Sequence, residues 1–88
     1  SEEIERRRQH AEKLIDTIRG LFPQVQEAMS GTRFGRDAMA KAEAVVQRAE
    51  EDLARGDART LLDTMQSLDR TLGMFKNVMH KKSEAAHR

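Results

Sequence analysis

Residues 49–62, Ala49-Glu50-Glu51-Asp52-Leu53-Ala54-Arg55-Gly56-Asp57-Ala58-Arg59-Thr60-Leu61-Leu62, hold the corner from which the fold of this chain is read. Upstream of the corner an apolar stripe runs through Ala38-Met39, Ala42, Val45-Val46, Ala49 and Leu53. Downstream the same rhythm returns in Leu61-Leu62, Met65, Leu68, Leu72, Phe75 and Val78-Met79. Steps of three and four residues are the signature of an amphipathic helix. Gly56 supplies the left-handed cap of the first of these helices, and Asp57 accepts hydrogen bonds from the free amides of the next. So short a connection leaves two helices one arrangement, an antiparallel hairpin.

Ahead of the hairpin, Ala11, Leu14-Ile15, Ile18, Leu21-Phe22, Val25 and Ala28-Met29 form a third stripe. Pro23 and Gly20 fall within it. An interior proline costs a helix about 3 kcal/mol, and a glycine about 1 kcal/mol. The apolar phase nevertheless passes through both without a reset, which predicts one long helix bent near Gly20–Pro23. The expected architecture is an all-α, three-helix antiparallel bundle with helices over about 2–29, 37–55 and 57–82. The longer first helix projects as a polar overhang through residues 1–10. Ser30–Arg36 is read as the one real loop, and 83–88 as a frayed tail.

Composition narrows the function. The 88 residues carry 16 basic and 15 acidic side chains, a net charge of +1, which gives no electrostatic case for nucleic acid. Trp and Tyr are absent and Phe numbers three, so platforms for base stacking are missing too. Zero cysteines exclude disulfides and thiol chemistry in this chain. No membrane-spanning run is present, and the start Ser1-Glu2-Glu3 is unlike a signal peptide.

The charged clusters read as helix surface. Glutamates at 2, 3 and 5 offset Arg6-Arg7-Arg8, with Glu2/Arg6 and Glu3/Arg7 at favourable spacing. His80, Lys81, Lys82, His87 and Arg88 make a basic end of the kind a helix C-terminus favours. His10, His80 and His87 lack the spacing a metal site needs, and no metal is expected. Of five methionines, Met74 follows Gly73 off the stripe and is expected to face solvent. Phe34 lies between Gly31 and Gly35; it is read first as a plug beneath the end of the bundle, and second as an exposed anchor for a partner. No nucleotide loop or catalytic triad pattern appears, so no catalysis is expected within this chain.

With three helices placed, the chain resembles a known family. Ala11-Glu12-Lys13-Leu14-Ile15-Asp16-Thr17 resembles the later part of the long lid helix of seventy-kilodalton heat-shock chaperones of the DnaK type. Ala42 to Met79 is similar to the rest of that C-terminal helical subdomain: a helix ending in Glu-Asp-Leu-Ala-Arg, a Gly-Asp turn, and a final helix closing on Leu72, Phe75 and Met79. Pro23 and a longer loop at Gly31–Arg36 depart from the family. The resemblance implies a fragment of an ATP-driven chaperone, a bacterial cytoplasmic member, in which this lid gates release of unfolded peptide. It implies ATP and Mg in an upstream domain and no cofactor here. The implied partners are the β-sandwich peptide-binding subdomain of the same chain, unfolded clients and co-chaperones. In the family an acidic residue one turn before a histidine latches the lid to an arginine of the sandwich. Glu12 matches the acid, and Asp16 stands where the histidine would be. The alternative is a stand-alone helical adaptor or dimerisation module, with room for weak self-association.

Overall fold

In the computed structural model the described residues are 1–56 and 58–87, and they form three helices with no strand. Helix α1 runs Glu2–Met29, α2 Arg33–Arg55 and α3 Ala58–Ala86. Asp57, read above as a cap, and Arg88, read as part of the basic end, lie outside the described residues.

Each helix begins or ends for a local reason. The Ser1 hydroxyl accepts from the Ile4 amide, and Glu2, Glu3 and Glu5 place negative charge at the positive end of the α1 dipole. The helix passes through Pro23 without interruption. At α2 the Thr32 hydroxyl accepts from the Gly35 amide at 2.9 Å. Gly56 adopts φ 69°, ψ 22°, and its amide donates to the carbonyls of Asp52 and Leu53, closing α2 with the left-handed cap that the corner requires.

The helices run up, down and up. Contacts from Arg8 to Leu53 and from Arg19 to Glu43 set α1 against α2 antiparallel, and a contact from Asp52 to Thr64 does the same for α2 and α3. Helices α1 and α3 therefore lie parallel, and their contact is the most extensive of the three. Phe75, Ile18, Leu68, Val25 and Val46 are wholly buried along the shared seam. The rings of Phe22 and Phe75 meet edge-on at 5.5 Å and 68°, a geometry that contributes about 0.5–1.5 kcal/mol beyond burial. The result is a rod of 50 × 25 × 16 Å.

Several sequence expectations need correction. The connection between α1 and α2 is Ser30–Thr32 alone, because Thr32 already caps α2. Phe34 thus lies in the first turn of α2 and is 81% exposed, so it plugs nothing. The cause is its neighbour: a Cβ on Gly35 would fall 1.9 Å from the Met29 carbonyl oxygen, so Gly35 faces inward and turns Phe34 outward. At the other end α3 continues through Ser83–Ala86 instead of fraying. His80 Nε2 lies 2.9 Å from Glu84 across one turn, and alanines 85 and 86 are strong helix formers. Met74 is half-buried against the core, since a long flexible side chain on the flank of a stripe bends back to it. Leu62, expected in the seam, is 47% exposed. The solvated overhang shrinks to residues 1–6, because Arg7 and Arg8 are half-buried.

Candidate functional site

Glu12 and Asp16 are both exposed on α1. Four residues apart, they share one face of the helix one turn from each other. Two arginines stand at the right helical spacing to neutralise them, Arg8 four residues before Glu12 and Arg19 three after Asp16. Both are drawn toward α2 instead. Arg8 Nη1 donates to the Leu53 carbonyl at 2.7 Å, where the C-terminal carbonyls of α2 gather negative potential. Arg19 Nη1 lies 2.9 and 2.7 Å from the two carboxylate oxygens of Glu43, and its Nη2 donates to Glu50 at 2.7 Å. The Glu43 and Glu50 hydrogen bonds hold the Arg19 guanidinium above its ordinary range. Among the described residues Glu12 and Asp16 make no ion pair; exposed Lys13, which stands between them in sequence, offsets one of the two charges and leaves a local excess of one negative charge.

The arginine cluster at 6–8 does not act as a unit. Arg6 is exposed, Arg7 donates to Glu3 at 2.9 Å, and Arg8 turns to α2. Among the described residues no group of three or more His, Cys, Asp or Glu side chains converges as metal ligands. No described helix is long and apolar enough to cross a membrane. No family model, curated protein or solved structure matches this chain.

A buried carboxylate at the corner escaped the sequence reading. Asp52 is 4% exposed and accepts from the Thr64 hydroxyl at 2.7 Å, from Arg55 at 2.9 Å and from Arg48 at 3.3 Å. Burial pushes its pKa up. The Thr64 hydroxyl, the Arg48 hydrogen bond and the charges of Arg48 and Arg55 together pull it down further, and the net position is below the ordinary carboxylate value. A carboxylate in the last turn of a helix opposes the dipole. That anomaly, with Arg48 four residues before and Arg55 three after, was the signal available in the sequence. Asp52 belongs to a groove of about 380 Å³ between α2 and α3, whose walls include Val45, Ala49 and Thr64. Its partners are internal, and its role is to lock the hairpin.

Phe34 stands at the opposite end of the rod. It forms one wall of a cleft of about 430 Å³ with Met29, Gly35, Met74, Val78 and Lys81. Chemically, the described surface offers fixed charge on α1 and an apolar cleft beside Phe34.

Proposed function

We propose that this chain is the C-terminal lid subdomain of a DnaK-type chaperone, gating the release of unfolded peptide without catalysing a reaction itself. The observation that carries the reading is the exposed Glu12/Asp16 pair, only partly offset by Lys13 because Arg8 and Arg19 are committed to α2. A carboxylate pair on the outer face of a stiff helix is suited to grasping a cation on another subdomain. Helix order and the Gly56 corner agree with the family resemblance. The parent would hold ATP and Mg in its nucleotide domain, and would act in the bacterial cytoplasm with a β-sandwich peptide-binding subdomain, unfolded clients and co-chaperones.

The mechanism is a biased two-state closure. An ion pair made only when the lid is shut stabilises that state by its own worth and nothing more. For an exposed pair that is at most about 1 kcal/mol, or roughly a fivefold change in the closed-to-open ratio. In the intact parent with ADP bound, Glu12→Ala combined with Asp16→Ala is expected to speed peptide dissociation several-fold. An unchanged off-rate would remove the pair from the latch, and a parent gene without an upstream ATPase domain would end the reading.

A second reading, a helical adaptor module, draws on the outward-facing ring of Phe34. Weak self-association through that ring, seen by sedimentation and lost in Phe34→Ala, would favour it.

A further inference from the structure

The geometry points to a peptide-docking cleft at the α1–α2 end of the rod, whose occupant is an acidic polypeptide segment bearing an aliphatic or aromatic anchor. This inference is independent of the lid reading, because it uses neither Glu12 nor Asp16.

A single exposed apolar side chain is ordinary. Phe34 differs in where its ring stands. Gly35, pinned against the Met29 carbonyl, fixes the orientation of the first turn of α2, so the ring is held out of the core by backbone packing. It borders the cleft in which Met29, Met74 and Val78 are half-buried. Methionines adapt their shape to an incoming side chain, and the cleft volume of about 430 Å³ suits a partly enclosed anchor. An apolar groove flanked by an aromatic wall is the arrangement that captures one or two hydrophobic anchors of a peptide.

Charge selects the occupant. Lys81 lines the cleft, and no carboxylate does. Arg33 borders Phe34 in sequence with its side chain 90% exposed, and Lys82 is also exposed on α3. Asp37 lies 4.0 Å from Arg33 and offsets its charge, and Glu84 meets His80 at 2.9 Å, so the cation that decides the rim is Lys81, the charged residue that lines the cleft itself. Lys81 has no hydrogen bond or ion pair among the described residues. An approaching acidic segment gains attraction from Lys81, whereas a two-fold pairing of two copies through this cleft would set one Lys81 against the other.

The test uses the 88-residue chain and three fluorescein-labelled, C-terminally amidated peptides read by anisotropy. Their sequences are Asp-Glu-Leu-Leu-Glu-Asp, the same with Gly-Gly replacing Leu-Leu, and Lys-Arg-Leu-Leu-Arg-Lys. The acidic leucine peptide is expected to bind, more weakly as salt rises, and the other two at least about tenfold more weakly. Phe34→Ala and Lys81→Glu should each weaken it about tenfold, with Phe34→Leu retaining most of the affinity. Lys81→Glu should also gain affinity for the basic peptide. All three variants change exposed positions, and unchanged thermal melts confirm that each still folds. The inference is overturned by no binding of the acidic peptide up to about 1 mM, by equal binding of the glycine or basic peptide, or by affinity indifferent to both variants. Sedimentation showing dimers that Phe34→Ala dissolves would make a second copy the occupant, and would overturn it equally.

Discussion

Replacing Thr64 by valine removes one hydroxyl from the buried face between α2 and α3 while leaving the side-chain shape almost unchanged. Thr64 is 7% exposed and donates to Asp52 Oδ2 at 2.7 Å, while the other carboxylate oxygen receives Arg48 and Arg55. Thr64→Val therefore deprives one buried, charged oxygen of its partner. A hydrogen bond to a charged group contributes about 1.5–3 kcal/mol, and that is the expected loss at pH 7. For a domain of this size each kcal/mol moves the melting temperature by about 4–8 °C, so the midpoint of that range corresponds to a drop of roughly 9–18 °C. The pH dependence gives a second, sharper arm. The Asp52 carboxyl titrates below its ordinary 3.8 in the folded chain, so the unfolded chain takes up the proton first as pH falls. Its stabilisation is complete above 3.8 and is lost as pH drops below that value through the folded pKa. Without the Thr64 hydroxyl the folded pKa rises. The cost of the substitution must then shrink as the solution is acidified below 3.8. Urea unfolding followed by circular dichroism at pH 7 and near pH 3 measures both arms. A loss under about 0.5 kcal/mol at pH 7, or the same loss at both pH values, would refute the reasoning.

Four further expectations concern packing and surface charge. Gly35→Ala forces a methyl onto the Met29 carbonyl and should cost about 3 kcal/mol or more by urea midpoint, at the upper end of overpacking. Gly73→Ala meets open space on the exposed face of α3 and should stabilise by about 0.5–1 kcal/mol in the same assay. Arg19→Ala breaks an exposed clamp to Glu43 and Glu50 and should cost no more than about 1 kcal/mol, a difference that fades in 1 M salt. Phe75→Ala empties a wholly buried site against Phe22, and its expected loss of about 3–5 kcal/mol approaches the stability of so small a domain, so a broad or absent thermal transition should follow.

Helical phase was legible in the sequence because each stripe repeats over several turns, and the Gly56 corner was legible because a left-handed cap has few other solutions. The start of α2 was not. Thr32 is a good capping residue, but the glutamate or glutamine that completes a capping box is replaced by Gly35, so the signal looked like a loop. Gly35 itself is needed for a contact with the Met29 carbonyl six residues earlier, which composition does not reveal. That one close approach also decided the direction of Phe34. On α1 the residue numbers of Glu12 and Asp16 were readable. Their freedom from Arg8 and Arg19 was not, since it depends on where the end and flank of α2 lie in space.

The parallel course of α1 and α3 has a mechanical corollary. The chain enters near one pole of a 50 Å rod and reaches Ala86 near the other. Tension between those poles slides α1 lengthwise against α3 instead of peeling one turn at a time. The load then falls at once on the interlocked rings of Phe22 and Phe75 and on the whole buried seam. A strut built this way yields to a pull between its poles only by shear.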